Sequence, residues 1–258
     1  MLGAIIGDIA GSRWEFSPTH DYAFELFSES NDFTDDTICT VAVAEALLHG
    51  RDYGENIHEW CRRYPHPMGG YGGSFAQWVR SDHPQPYGSF GNGSAMRVSP
   101  VAWFFSNLET VREEAAKTAR CTHNHPEGVK GAQSVAEAIF RFRRLHDPDP
   151  EHIRRVCEEI CASYGYDLAT IREERVRNRF DETCQGTVPV AFWIIAQGTD
   201  FEDAVRRAVS LGADADTLGA IVGSIAEAIW PVPAHIADRA LAYLPSEMKT
   251  ILQNFSRR

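Results

Sequence analysis

The residues from Leu211 to Trp230, Leu-Gly-Ala-Asp-Ala-Asp-Thr-Leu-Gly-Ala-Ile-Val-Gly-Ser-Ile-Ala-Glu-Ala-Ile-Trp, constrain the fold more than any other stretch. From Leu218 onward Ala, Ile, Val and Leu occupy every helical face, so the spacing predicts a helix over 218–230 that is buried on all sides. Asp214, Asp216 and Thr217 stand at its mouth, which is therefore expected in a pocket rather than on open surface. A second group, Thr34-Asp35-Asp36-Thr37, opens another apolar helix carrying Ile38, Val41, Ala42, Leu47 and Leu48. Magnesium, manganese and calcium take oxygen ligands, and the four carboxylates of the two mouths would balance two divalent ions. Helix capping accounts for either group alone, since Asp and Thr are favoured N-caps and suit the helix dipole. Each group has one acid more than a cap uses, and both readings stay open at this point.

The rest of the chain reads as helices in succession, with almost no strand-like alternation. Leu2 to Ala10 is a short apolar helix with Gly3 and Gly7 and a lone charge, Asp8. Glu15 follows between Trp14 and Phe16; an acid among aromatics is a catalytic candidate if desolvated, and otherwise a hydrogen-bonded loop carboxylate. Two glycine-rich stretches, Met68 to Ser74 and Tyr87 to Arg97, let the backbone pass close to a ligand, or simply turn. His123 and His125 precede a helix over 126–146, and the plain loop reading suits them best. Thr110 with Glu113 is read as a capping box, Asp167 as the cap of a charged, solvated helix over 171–180, and Pro189 as the start of an apolar helix to Gln197. The expected architecture is all-α: one domain over residues 1–258, with the segments 17–33 and 81–99 as long loops.

Composition narrows the function. A net charge of -11 disfavours a sequence-independent grip on nucleic acid and leaves room for a phosphate held by backbone amides. No sequence-specific nucleic-acid binding is expected, although a modified nucleobase stays compatible as a substrate. The six cysteines lack CxxC spacing, no export signal opens the chain, and no run is apolar enough to span a bilayer. A cytoplasmic monomer with free thiols and no membrane partner is the expectation.

Taken together, Gly7 to Glu15, Phe33-Thr-Asp-Asp-Thr37, Ser89 to Arg97, Thr122-His-Asn-His125 and Gly212 to Gly219 resemble the ADP-ribosylglycohydrolase family, of the type that includes dinitrogenase-reductase-activating glycohydrolase. The resemblance implies an orthogonal helical bundle with a central cleft holding two Mg2+ or Mn2+ ions. It implies hydrolysis of the glycosidic bond between the distal ribose of ADP-ribose and an acceptor, whether a protein side chain, a nucleobase or a small molecule. Position by position, Thr34, Asp35, Asp36, Asp214, Asp216 and Thr217 match the metal ligands, and Glu15, with Asp36 beside it, matches the catalytic acids. Ser89, Phe90, Gly91, Asn92, Gly93 and Ser94 match the diphosphate loop, and His123 a histidine of the substrate cleft. Ala213 and Ala215 stand where Gly and Thr are common in the family, a change touching packing or selectivity. The competing expectations are an ADP-ribose-binding protein without turnover and a metal-dependent phosphoesterase acting on the diphosphate.

Overall fold

The computed structural model describes residues 1–257. Its helices run in the order α1 (Leu2–Ser12), α2 (Asp35–His49), α3 (Tyr53–Arg63), α4 (Gly73–Arg80), α5 (Gly93–Met96), α6 (Ser99–Phe104), α7 (Leu108–Arg120), α8 (Pro126–Phe142), α9 (Pro150–Ser163), α10 (Glu173–Val176), α11 (Cys184–Ile195), α12 (Phe201–Ser210), α13 (Ala215–Ala226), α14 (Ala234–Tyr243) and α15 (Ser246–Ser256). Among the described residues there is no strand, and a single β-bridge joins Gly91 to Thr183. No described helix is long and apolar enough to cross a membrane.

The pair α1 and α13 makes the most extensive helix contact in the structure. Gly3, Gly7 and Gly11 face Gly223, Gly219 and Ala215 in turn, so the two helices run antiparallel with their backbones touching. A Cβ on Gly7 would overlap the Gly219 carbonyl, and one on Gly3 the Gly223 carbonyl. Both helices are buried along nearly their whole length. This register sets the site, because the C-terminal end of α1, which leads to Glu15, is brought against the N-terminal end of α13, which carries Asp214 and Asp216. Gly7→Val is expected to destabilise the protein by at least ~3 kcal/mol, since backbone atoms cannot yield as side chains do. The denaturation midpoint measures this; a shift under ~1 kcal/mol would mean that the helices can part freely.

Several helix boundaries differ from the sequence expectation. The central helix begins at Ala215 and not Leu218, which puts Asp216 and Thr217 inside its first turn. Pro189 lies within α11, whose N-cap is Thr183; the carbonyl it deprives of a partner belongs to Gln185, which is exposed and can bond water. Asn107, not Thr110, caps α7, accepting from the Thr110 amide at 3.1 Å. Asp167 caps only a 3-10 turn, Leu168–Thr170, and the charged segment makes one short helix, α10, having too little apolar surface to hold a longer one. α8 stops at Phe142, and two short helices, α5 and α6, occupy the region read as loop up to Ser99 and beyond. All six cysteines are free thiols.

Candidate active site

Asp8 organises the first acidic mouth. It is fully buried, and its carboxylate accepts from the Thr34 amide (3.0 Å), the Thr34 hydroxyl (2.7 Å), the Thr37 amide (3.1 Å) and the Thr37 hydroxyl. It thus supplies from α1 the second half of a capping box for α2, while Thr34 itself caps the Asp36 amide at 3.2 Å. Capping therefore uses Asp8 and Thr34 and leaves Asp35 and Asp36 over. At the second mouth Asp214 is the N-cap of α13 by position but makes no capping bond with its side chain. Its Oδ2 instead accepts from Asn92 Nδ2 at 2.7 Å.

The two mouths converge. Thr217 Oγ1 donates to Asp36 Oδ2 across the gap at 3.1 Å. Carboxylate oxygens of Asp8, Asp36 and Asp216 lie within 4.8 Å of one another, as do those of Glu15, Asp214 and Asp216. Asp36 Oδ1, Asp216 Oδ1 and Glu15 Oε2 are buried and have no hydrogen-bond partner. Buried carboxylate oxygens are normally paired or bound to a metal, so this donor set fits hard divalent cations. The N-termini of α2 and α13 both face the cluster, which offsets part of the repulsion among its charges.

Burial raises the pKa of Asp8, Glu15, Asp35, Asp36, Asp214 and Asp216. Glu15 is half-buried and pushed up to about 7 by desolvation, with the charges of Asp214, Asp8 and Glu182 adding to it. Asp8 and Asp214 rise to about 6, chiefly by desolvation, against the bonds they accept. Asp35, Asp36 and Asp216 lie well above the usual carboxylate range, again by burial first, with neighbouring acids next for Asp36 and Asp216, and Cys39 ahead of the acids for Asp35.

A cavity of about 370 Å³ opens over the cluster. Of the sequence-derived residues, Glu15, Asp35, Asp36, Ser89, Gly91, Asn92, Gly93, His123, Asp214, Asp216 and Thr217 line it. Three do not. Thr34 sits beneath the floor, with its hydroxyl engaged by Asp8 and the Asp36 amide. Ser94 is buried and donates to the Gly128 carbonyl at 2.7 Å. Phe90 is 44% exposed, its ring packed edge-on against His125. Two amides of the expected diphosphate loop are engaged within the protein, Gly91 N to Ser89 Oγ and Asn92 N to the Glu182 carbonyl.

Sequence reasoning gave no site role to three residues that the structure places there, and it left the 68–74 glycines between a ligand wall and a plain turn. Asp8 was legible as a lone charge in an apolar, glycine-spaced helix, a placement that demands partners. Arg97, fully buried at the cavity's glycine-loop end, ends a run of small residues in the same way. Glu182 lies at the cavity just past the charged helix expected over 171–180. The 69–73 glycines form a wall beside Glu15: Gly69 has φ +74, and a Cβ there would overlap Glu15 Oε2.

A family model described as ADP-ribosylglycohydrolase matches residues 1–254. The chain is 24% identical over 262 residues to the ADP-ribosylarginine hydrolase Tri1 of Pseudomonas putida, which covers 90% of this chain and 70% of that one. It is 25% identical over 262 residues to the ADP-ribosyl-[dinitrogen reductase] glycohydrolase of Rhodospirillum rubrum, covering 90% of this chain and 84% of the relative. A solved structure of an ADP-ribosylglycohydrolase-related protein complex superposes with a TM-score of 0.73 at 25% identity, over 99% of this chain and 96% of that one. The family is shown by the model match, and the differing names of these relatives leave the type within it open.

Proposed function

The chain belongs to the ADP-ribosylglycohydrolase family, and from that premise we propose that it hydrolyses the glycosidic bond between the distal ribose of ADP-ribose and an acceptor, in a reaction dependent on Mg2+ or Mn2+. The observation that carries this reading is the meeting of two acidic helix mouths around buried carboxylate oxygens that have no partner. Asp35, Asp36, Asp214 and Asp216, with Thr217 and the remaining lone pair of Thr34, are the residues that would hold two divalent cations. Bound there, such ions supply positive charge to orient the ribose hydroxyls and make a water easier to deprotonate.

The protein's own groups do the rest. Cleavage at the anomeric carbon builds oxocarbenium character, which the surrounding carboxylates favour. Glu15, with its pKa near 7 and one oxygen without a partner, can give or take a proton at neutral pH. Asn92 ties the glycine loop to Asp214, so the end of the cavity suited to the diphosphate is held in register with the end suited to the ribose. The acceptor would meet the protein at the rim around Phe16 and Glu182.

Product analysis tests the proposal. Purified protein with Mg2+ or Mn2+ is expected to release intact ADP-ribose from at least one of a panel of ADP-ribosylated acceptors, and to stop on chelation. Release of AMP would mean phosphoester cleavage, and ADP-ribose binding with no product from any acceptor would mean a non-hydrolytic relative; either contradicts the reading.

A further inference from the structure

Arg97 and Thr122 give the glycine-loop end of the cavity a character opposite to its acidic end. Arg97 Nη2 donates to the Thr118 carbonyl (2.8 Å) and to Thr122 Oγ1 (2.7 Å), with Cys121 Sγ at 3.6 Å. Its Nε and Nη1 make no hydrogen bond of good geometry, the buried Cys39 thiol lies beside the guanidinium, and none of its hydrogen bonds goes to a carboxylate. A buried guanidinium without a counter-charge is costly unless an anion comes to it.

Thr122 Oγ1 lies 2.7 Å from His123 Nδ1. A guanidinium only donates, so Thr122 Oγ1 is the acceptor of the Arg97 bond. The hydroxyl has one proton of its own, and Thr122 is fully buried, so that proton needs an acceptor. Its neighbours are His123 Nδ1 and the Cys121 sulfur, and sulfur is the weak acceptor of the two. The proton therefore goes to Nδ1. Burial, with the Arg97 charge, holds His123 well below its usual pKa, so the ring is neutral and carries its own proton on Nε2. That nitrogen faces the loop: a Cβ on Gly93 would stand 3.1 Å from it, and one on Gly91 3.4 Å.

We propose that Arg97 and Thr122 are positioning residues for the substrate cleft: they fix His123, already expected there, as its Nε2–H tautomer and so present an N–H donor at the bend of Gly91 to Gly93. Arg97 acts through Thr122 and is a positioning residue; its uncompensated charge also draws the diphosphate away from the carboxylates. The identity of the anion rests on the ADP-ribose reading, whereas the tautomer does not.

The test is long-range 1H–15N NMR of Mg2+-loaded protein with 15N-labelled histidines, the His123 signals assigned by their loss in His123→Gln. The expected spectrum has an unprotonated Nδ1 and a protonated Nε2, and ADP-ribose shifts the Nε2 signal while adenosine does not. Thr122→Val is expected to mix the tautomers and weaken ADP-ribose binding about tenfold, the loss of roughly one hydrogen bond, and Thr122→Ser to restore both. A proton on Nδ1 in the unsubstituted protein, unchanged tautomer and affinity in Thr122→Val, or an Nε2 signal indifferent to ADP-ribose would each overturn the proposal. None of these readouts involves turnover, so failure of the hydrolase reading shows separately, in the product assay.

Discussion

Glu15→Gln is expected to lower kcat by about 10²–10⁴-fold while leaving the Kd for ADP-ribose within about threefold of the unsubstituted protein. Glutamine keeps the volume of glutamate, so the close packing against Gly69 is preserved and the cavity wall stays in place. What is lost is the proton. Burial and the nearby acids place the Glu15 pKa at about 7, so near neutral pH both its protonated and ionised forms are populated, the condition under which a general acid or base works best. The activity of the unsubstituted protein should therefore show a limb near pH 7 that is absent from the residual activity of the variant. Turnover at the normal rate in Glu15→Gln would remove this residue from the chemistry, whatever else the cavity does.

The second large effect is on metal-linked stability, and its size changes with pH. The folded-state pKa values of Asp8 and Asp214 rise from 3.8 to about 6, and that of Glu15 from 4.5 to about 7. A raised carboxyl pKa means that the folded protein binds more protons than the unfolded chain, so stability is fullest below the unfolded values and falls as pH climbs to about 7. Metal-free protein is accordingly expected to melt at lower temperature at pH 7.5 than at pH 5. Divalent cations compete for the same oxygens, and at about 100 times Kd they add ~2.7 kcal/mol, or roughly 5–10 °C for a chain of this size. That gain should be large at pH 7.5 and small at pH 5. In Asp216→Asn the rise with metal should largely vanish, while the metal-free protein should melt slightly higher at pH 7.5, because one desolvated acid has gone. Thermal scans with and without Mn2+ at both pH values check this; an undiminished metal shift in Asp216→Asn would contradict the ligand set.

The helical class and the two acidic mouths were legible because both depend on local pattern. An all-apolar helix with small residues four apart can only be central, and carboxylates at its entrance have few bland uses once there are two such entrances. Boundaries were less legible where tertiary packing overrides local preference. Pro189 sits inside α11, where the carbonyl it orphans belongs to the exposed Gln185, and α13 starts before Leu218, with Ala215 packed against Gly11. Capping was the competing reading of both mouths, and the structure divides it: Thr34 caps with help from Asp8, while Asp214 turns to Asn92. Asp8 and Arg97 were missed for one reason. Each is a single charge whose partners come from remote or neighbouring turns, and spacing alone says nothing of them until the chain is folded.

The most direct test of the account is a crystal of the protein grown with Mn2+ and measured for anomalous scattering. Two peaks are expected, bounded by Asp35, Asp36, Asp214, Asp216 and Thr217, with Glu15 at their edge. A map with no peak between α2 and α13, or with manganese bound only elsewhere on the molecule, would leave the converging carboxylates without the role assigned to them here.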